Sequence, residues 1–351
     1  MRIAVIPGDG IGKDVTAEAV KVLQAIGEVS GTPLDLEYLP WSADHYLATG
    51  ETLPANGYDM LRNDFDAIFL GALGDPRVPD NKHARDILLG ARFELDLYAN
   101  YRPVKLLHDD LCPLKNRGRA DVNFVVFREN TEGVYVSIGG RFKANTPDEV
   151  AIQEEINTFK GVDRIIRHAF AYAQAHGLTK VCMADKSNAM QQGHALWQRV
   201  FKTVAAEYPA VTASHMYIDA LAMFLVKDPG QFEVIVTNNL FGDIVTDIGG
   251  ALQGGLGMAA SGNLHPGRTS LFEPVHGSAP PLAGRNIANP MGAILSAALM
   301  LDTLGRGADA SRIESAVEAA LVEGETTTDI GGSRGTSNVG DWIAATVRTR
   351  G

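Results

Sequence analysis

The sequence contains few cysteines, no excess of positive charge and no long apolar run. It has two cysteines among 351 residues, which excludes a disulfide framework, and it shows no Cys–His spacing typical of a metal site. Its net charge of −11 argues against nucleic acid or an anionic membrane as a partner. The apolar segment 293–301 is too short to span a membrane, and the first apolar run is too short for a signal-peptide core. We therefore expect a cytoplasmic globular protein with a small-molecule partner.

Short β-branched runs alternate with amphipathic segments along the chain. Apolar runs predict buried strands at residues 3–6, 34–39, 67–72, 122–127, 180–186 and 232–237. Helical periodicity predicts helices at residues 14–26, 57–63, 83–95, 161–175, 220–226, 291–304, 310–322 and 338–348. This alternation indicates an α/β fold with a parallel sheet. Residues 272–281 are interpreted as a long irregular loop, and the polar residues 137–157 are hard to assign, with a β arm as one interpretation.

The segment NNLFGDIVTDIGG at residues 238–250 follows the last predicted strand of the middle region. Gly242 is interpreted as a turn, with a helix that begins near Asp243. Asp243 and Asp247 are four residues apart, so a helix places both carboxylates on one face. Oxygen ligands of this kind suit Mg²⁺ or Mn²⁺. The alternative is a solvated helix start, where the helix dipole favours aspartate.

Several charged side chains end predicted elements. Arg92, Arg102 and Arg128 together match the carboxylates of a di- or tricarboxylic acid, although each alone is consistent with a surface charge. Lys186 closes a predicted strand, which fits either a base that faces a ligand or a surface lysine. The turn PGDGIG at residues 7–12 fits a structural turn better than a phosphate site, because its glycines do not match the dinucleotide fingerprint.

Six motifs, in order, connect the chain with a known family. They are PGDGIG at residues 7–12, DLYANYRP at 96–103, RENTEGVY at 128–135, DKSN at 185–188, NNLFGDIVTDIGG at 238–250 and EPVHGSAP at 273–280. Over its whole length the chain resembles the β-decarboxylating 2-hydroxyacid dehydrogenases, which form the isocitrate/isopropylmalate dehydrogenase family. The resemblance implies an α/β fold of two domains with a large mixed sheet flanked by helices, and not the usual Rossmann fold.

The resemblance also implies a division of labour between the two domains. Residues 1–98 and 254–351 would bind the cofactor, and residues 99–253 would bind substrate and metal and form a homodimer. In this family each active site is shared, because the lysine and the first aspartate come from the second subunit.

Roles follow for individual positions from the same resemblance. Substrate binding is implied for Leu88, Leu89, Arg92, Arg102, Arg128 and Asp219, and proton transfer for Tyr135 and Lys186. Binding of Mg²⁺ or Mn²⁺ is implied for Asp219, Asp243 and Asp247. Binding of a nicotinamide cofactor is implied for Glu273, His276, Gly277, Ser278, Ala279, Leu282, Asn289 and Asp329. From the residue type alone, Tyr135 also fits a packing residue with a solvated hydroxyl.

Two departures from the family pattern bear on specificity. Pro281 stands where NAD-specific relatives carry an acidic residue and NADP-specific relatives carry lysine, and Arg334 follows close by. We expect NAD, with NADP as the alternative. Leu88 and Leu89 match the apolar pocket of isopropylmalate enzymes, whereas Arg85 stands where those enzymes usually have glutamate. The motif RENTEGVY is more typical of the isocitrate, homoisocitrate and tartrate branches.

The resemblance therefore implies an oxidative decarboxylase of a 3-substituted malate. We expect (2R,3S)-3-isopropylmalate as its substrate and leucine biosynthesis as its pathway. Tartrate, malate, homoisocitrate and isocitrate dehydrogenases of the same family are alternatives. A relative that binds carboxylates or nucleotide without chemistry is a further alternative, which we disfavour because every catalytic position that can be mapped is retained.

Overall fold

The computed structural model describes residues 1–349. Its strands are β1 (Arg2–Gly8), β2 (Asp35–Tyr38), β3 (Ala67–Ala72), β4 (Ala99–Lys105), β5 (Asn123–Glu129), β6 (Gly139–Phe142), β7 (Val150–Gln153), β8 (Lys180–Asp185), β9 (Thr212–Tyr217), β10 (Val234–Thr237), β11 (Ala260–Leu264) and β12 (Ser270–Pro274). Its helices are α1 (Ile11–Ser30), α2 (Ala43–Thr49), α3 (Gly57–Asp64), α4 (Lys82–Ala84), α5 (Gly90–Glu94), α6 (Phe159–Ala175), α7 (Gln191–Ala205), α8 (Ile218–Lys227), α9 (Asn239–Leu252), α10 (Met291–Thr303), α11 (Gly307–Glu323) and α12 (Thr336–Thr349). A π-helical turn at Arg85–Leu89 joins α4 to α5.

The strands form a large mixed sheet. Ten of them follow the order β2-β1-β3-β12-β11-β4-β5-β10-β8-β9, and β6 pairs with β7 in a separate antiparallel ribbon. Strand β11 is antiparallel to β12, whereas the pairs β1–β2, β1–β3, β3–β12, β5–β10, β8–β10 and β8–β9 are parallel. The predicted α/β class with a large mixed sheet is confirmed, and residues 137–157 contain the β arm.

By its internal contacts the chain divides into two compact units. The first comprises Met1–Leu97, Arg102–Val122 and the chain from Gly250 onward, and the second comprises Tyr98–Tyr101 and Asn123–Gly249. In the first unit β1 and β3 are buried along almost their whole length, as expected for parallel strands covered on both faces. No helix within residues 1–349 is both long and apolar enough to cross a membrane.

The second unit has its own core. The apolar residues of β5, β8 and β10 are buried, and helix α6 packs against these strands with one apolar stripe. That stripe consists of Val162, Ile165, Ile166, Ala169, Phe170 and Ala173.

Four strands were not predicted, namely β4, β9, β11 and β12. The prediction of an irregular loop is wrong for residues 272–274, which belong to β12 and pair with β11 on one side and with β3 on the other. The segments ASGNL and SLFEP are short and rich in small or polar residues, so their burial comes from partners distant in the sequence. Local pattern carries little of that information.

The start of α9 also differs from the prediction. The helix begins at Asn239 and not near Asp243, because the side-chain oxygen of Asn238 accepts a hydrogen bond from the Phe241 amide at 2.9 Å. Gly242 lies inside the helix, so its interpretation as a turn is wrong. A Cβ atom at Gly242 would lie 2.5 Å from Cγ of Arg128, which explains the glycine by close packing. Asp243 therefore lies beyond the first turn, where the helix dipole offers little explanation for it.

A largely buried histidine in α6, His168, predicts how stability depends on pH. The His168 ring contacts the rings of Phe127 and Tyr98 at centroid distances of 4.8 and 6.0 Å. Burial lowers the pKa of His168 from 6.5 to about 4. Between pH 6.5 and about pH 4, His168 binds a proton in the unfolded chain but not in the folded protein. Stability should therefore fall as pH drops from about 6.5 to about 4, by about 3 kcal/mol.

The variant His168→Phe should flatten this dependence, because phenylalanine fills the site without titrating. Denaturant midpoints measured at several pH values between 4 and 7.5 check it. His176→Gln, at the exposed end of the same helix, is the matched control. A pH dependence in His168→Phe equal to that of the wild type would contradict the assignment.

Candidate active site

The register of the parallel strands brings several polar side chains of the second unit to one edge. Thr237 on β10 pairs with Arg128 on β5 and with Ala184 on β8. The carboxyl ends of the three strands therefore lie side by side, which is where open α/β sheets bind ligands. Lys186 follows β8 directly, and α9 begins two residues after β10.

Arg128 is the centre of one cluster at this edge. Its side chain is only 1% exposed, its Nε donates to Oδ1 of Asn239 at 2.9 Å, and its Nη1 donates to Oδ1 of Asp243. The Tyr135 hydroxyl donates to the other oxygen of Asp243 at 3.0 Å, and the Arg128 guanidinium lies 5.1 Å from the centre of the Tyr135 ring. Three residues with predicted roles thus meet in one place, and the Tyr135 hydroxyl is hydrogen-bonded to a carboxylate.

Lys186 and Asp219 form a second group in the same unit. Asp219 lies in the first turn of α8. Its Oδ1 is 2.5 Å from Nζ of Lys186, and this hydrogen bond lowers the pKa of the Asp219 carboxyl. Lys186 is partly buried, whereas the Asp219 side chain is 67% exposed.

The predicted metal ligands are all carboxylates on helices. Asp243 and Asp247 both lie on α9, one turn apart, as expected from their spacing. Their hard oxygen donors fit Mg²⁺ or Mn²⁺ better than a softer metal. Among residues 1–349 of one chain, however, no group of three His, Cys, Asp or Glu side chains stands close enough to hold a metal ion. The contacts of a single chain leave Asp219 with Lys186 and Asp243 with Arg128 and Tyr135.

The first unit carries the other predicted arginines. Arg92 is 6% exposed, and its Nη2 donates to Oε1 of Glu273 at 3.2 Å, while its buried Nε has no protein partner. Asn263 donates to the same oxygen of Glu273 at 2.8 Å. Arg102 on β4 is also buried. A buried guanidinium with an unused donor has capacity for an anionic ligand.

Leu88 and Leu89 lie in the π-helical turn that precedes α5 and Arg92. Both are partly buried, and Leu88 packs against the core of the first unit. Turns of this kind occur often at functional sites, because the extra residue re-aims the side chains that follow. The sequence predicts the helix here, but nothing in its periodicity indicates the wider turn.

The predicted cofactor loop is supported by the PGDGIG turn. The Ile11 amide donates to the Ser278 carbonyl at 2.8 Å. Gly10 has φ +54° and lies so close to this loop that a Cβ atom would be 2.0 Å from the Ser278 oxygen. The first motif therefore holds the EPVHGSAP loop, in line with the structural interpretation of the turn.

Polar groups of the cofactor loop retain free hydrogen-bonding capacity. Nε2 of His276 is buried without a protein partner, and burial lowers the pKa of this histidine. Nδ2 of Asn289 donates to Oδ2 of Asp329 at 3.1 Å, and a Cβ atom at Gly257 would meet both side chains. Gly277 has open space where a Cβ would stand. Small residues beside an unused ring nitrogen and an amide–carboxylate pair fit the polar side of a nucleotide cofactor.

Two buried polar residues that support these segments, Asn239 and Asp9, were not predicted from the sequence. Asn239 fixes the Arg128 side chain and donates to the Glu132 carbonyl at 2.8 Å, and its place four residues before Asp243 was the available signal. Asp9 is 2% exposed and accepts from the amides of Ala43 and Gly74 at 2.7 and 2.9 Å. The ring of buried His83 approaches Asp9 at 2.8 Å, which ties the PGDGIG turn to α4.

Comparison with known proteins decides the family. A family model described as isocitrate/isopropylmalate dehydrogenase matches residues 2–343. The chain belongs to this family of dehydrogenases. The resemblance carried by the six motifs is thereby confirmed.

Individual relatives within the family are similar over their full length. A 3-isopropylmalate dehydrogenase of Rhodococcus opacus (strain B4) is 48% identical, over 98% of this chain and 99% of the relative. A 3-isopropylmalate dehydrogenase of Thermobifida fusca (strain YX) is 45% identical, over 100% of this chain and 99% of the relative. The crystal structure of isocitrate dehydrogenase from Methylococcus capsulatus matches with a TM-score of 0.89 and 34% identity, and 99% of each chain is covered.

The contact of Gly10 with the cofactor loop predicts the effect of a single methyl group. Gly10→Ala places a Cβ against the Ser278 carbonyl in a backbone region that alanine avoids, so we expect a loss of about 1–3 kcal/mol in stability and faster hydrogen exchange of the Ile11 amide, which donates to this carbonyl. Thermal unfolding and hydrogen exchange measure the two effects. Gly140→Ala, where a Cβ meets no atom within 4 Å, is the control. Equal behaviour of the two variants would contradict the role of Gly10.

Proposed function

We propose that this protein oxidises and decarboxylates 3-isopropylmalate with NAD and Mg²⁺ or Mn²⁺, as a step of leucine biosynthesis in the cytoplasm. The observation that carries the substrate assignment is the apolar pair Leu88 and Leu89 in the turn before Arg92, in a chain whose full-length relatives are named 3-isopropylmalate dehydrogenase. An apolar pair at this place favours an alkyl group on the substrate. Tartrate, malate, homoisocitrate and isocitrate stay alternatives, because Arg85, which is exposed beside this pair, stands where isopropylmalate enzymes usually have glutamate.

The arginines bind and orient the substrate in this proposal. Arg92, Arg102 and Arg128 are buried cations, and the carboxylates of a malate suit them by charge and by the planar geometry of guanidinium. The Arg128 side chain contacts Asp243 and Asn239, and these contacts fix its direction before the substrate binds. Fixed donors of this kind lower the entropic cost of reaching the reactive geometry.

Two side chains move protons. Nζ of Lys186, directly or through water, takes the proton of the C2 hydroxyl as C2 is oxidised. A nicotinamide cofactor, which the loop with His276 and Ser278 would hold, would supply the hydride acceptor for this oxidation. The bond between C3 and its carboxylate then breaks, CO₂ departs, and the electron pair remains as an enolate. The Tyr135 hydroxyl protonates C3, which yields 2-oxo-4-methylpentanoate. A bound dication supplies positive charge that polarises the C2 oxygen and stabilises the enolate.

The metal site in this proposal needs two chains. Asp219, Asp243 and Asp247 supply the oxygen donors, and a second copy of the chain brings the set together in a homodimer with shared active sites. Exposed apolar residues support such an association. Met223 and Val226 on α8 are 54% and 55% exposed, and Ile244 on α9 is 54% exposed.

NAD is favoured over NADP by the surroundings of Arg334. Its Nε and Nη2 lie 2.6 and 2.7 Å from the two carboxylate oxygens of Glu325, so its charge is already neutralised in a bidentate pair. A 2′-phosphate would have to compete with Glu325 for this side chain. Pro281, the other position concerned, carries no charge for either cofactor.

Turnover across a substrate panel tests the function. We expect good activity on 3-isopropylmalate and weak activity on tartrate, malate, homoisocitrate and isocitrate. Lys186→Ala should lower kcat by about 10²–10⁴-fold, because it removes the base, without a change in melting temperature. Lys180→Ala, an exposed lysine at the start of β8, is the control. Activity on tartrate without activity on isopropylmalate would overturn the substrate, and near-normal turnover of Lys186→Ala would overturn the base.

The cofactor preference has its own test. Wild-type kcat/KM should be at least about tenfold higher with NAD than with NADP, which corresponds to about 1.4 kcal/mol. Glu325→Gln should narrow this ratio by raising kcat/KM for NADP, since it weakens the pair that neutralises Arg334. Adding Arg334→Ala should cancel the gain. A wild-type preference for NADP would contradict the assignment.

A further inference from the structure

His194 is a fully buried histidine with no role in the chemistry proposed above. It lies on α7, and its side chain is 0% exposed. Its Nδ1 accepts a hydrogen bond at 2.8 Å from the main-chain amide of Lys186, the residue that follows β8. Because Nδ1 is the acceptor, the ring proton of the neutral histidine belongs on Nε2. His194 thus contacts the backbone of Lys186 and leaves its amino group alone.

The other ring nitrogen of His194, Nε2, faces Glu155. The carboxylate follows β7, is 10% exposed, and lies 3.3 Å from Nε2 of His194. Nearby, Oδ1 of Asn157 accepts from the indole N–H of Trp197 at 2.8 Å. Two residues at the end of the β arm are therefore bound to two residues of α7 one turn apart. The arm, although its strands are exposed, ends in a fixed anchor.

The same carboxylate also contacts the start of α9. Nδ2 of Asn238 donates to Oε1 of Glu155 at 2.6 Å, while Oδ1 of Asn238 caps α9 through the Phe241 amide. The next residue, Asn239, holds Arg128, and Asp243 follows one turn later. Glu155 thus joins the strand end that carries Lys186 to the helix start that precedes Asp243.

We propose that Glu155 and His194 are positioning residues, which hold the main chain at Lys186 in register with the start of α9. This inference deepens the proposed function, on which the catalytic role of Lys186 rests. We call Glu155, His194 and their hydrogen bonds the bracket. The bracket fixes the point from which the Lys186 side chain extends toward Nζ, because a displaced backbone displaces the whole side chain. Small misplacements of a reacting group are costly, so the bracket acts on kcat more than on substrate affinity.

The hydrogen-bond pattern separates this role from plain packing. Glu155 accepts from two different donors, one on His194 and one on Asn238. A glutamine keeps one acceptor oxygen, and both donors lie within 3.4 Å of Oε1. It replaces the second oxygen, which lies 3.3 Å from Nε2 of His194, by an N–H group that cannot accept, so it weakens the contact with His194 more than the contact with Asn238. His194 cannot adapt by moving its proton to Nδ1, because Nδ1 faces the Lys186 amide. Glu155→Gln should therefore loosen the Lys186 amide through His194, while the cap of α9 survives through Asn238.

The experiment combines steady-state kinetics with hydrogen exchange at two backbone amides, those of Lys186 and Phe241. In His194→Phe we expect kcat to fall by about 10–100-fold with KM within about threefold of the wild type. The Lys186 amide should exchange at least about tenfold faster, and the Phe241 amide should change little. His194→Gln, whose amide can accept from Lys186 and donate to Glu155, should recover most of the activity. Glu155→Gln should show the same pattern as His194→Phe in weaker form.

Glu154→Gln is the matched control, because Glu154 is exposed and adjacent on the same arm. The proposal is overturned if the His194 and Glu155 variants lower only the melting temperature while kcat and Lys186 exchange stay at wild-type values. It is equally overturned if Glu154→Gln has the same effect as Glu155→Gln. If the wild type fails to turn over any substituted malate, the proposed function is wrong, and faster Lys186 exchange in the variants would still establish the bracket.

Discussion

The parallel register of β5, β8 and β10 is the constraint on which the second unit depends. Because Thr237 is level with both Arg128 and Ala184, three chain segments that are far apart in the sequence end at one edge of the sheet. Each end then delivers a polar group: Arg128 from β5, Lys186 after β8, and the capped start of α9 after β10. These three groups lie together because of that alignment, since a shift of the register would separate them.

Buried charge is the second constraint. Arg128 and Arg92 are almost fully buried, and a buried guanidinium is tolerated only when it is paired. Their partners within the chain are Asp243 for Arg128 and Glu273 for Arg92. If these arginines bind the substrate, as proposed, its carboxylates compete with the two acids. An anionic ligand can compete in this way and a neutral one cannot, so a protein of net charge −11 would still select an anion.

The sequence allowed the fold class, most helices and the strands of the apolar runs to be predicted, because these depend on local periodicity. It did not predict β11 and β12, whose burial depends on pairing with each other and with β3. The start of α9 was placed four residues late, because glycine usually marks a turn and here it makes room for Arg128. The glycine follows from a tertiary contact that is absent from the local pattern.

The site shows the same division. The six motifs contain the residues that meet at Asp243, where Arg128 and Tyr135 each contact its carboxylate. The residues that hold them were not apparent, because Asn239, His194 and Glu155 look like ordinary polar positions until the fold aligns them. His194 lies eight residues after Lys186 and Glu155 lies 31 residues before it, and no spacing rule connects the three. Their link is made by α7 and the β arm, so it exists only in the folded chain.

Within one chain the residues with proposed catalytic or metal-binding roles fall into two groups. Lys186 and Asp219 neutralise each other, while Asp243 is shared by Arg128 and Tyr135. A dication that needs both aspartates has no complete site among residues 1–349 of a single copy. If a second copy completes it, as proposed, then Lys186 serves one site of the dimer and Asp243 the other. Glu155 contacts the supports of both, so a displacement at one site would reach the other through three side chains.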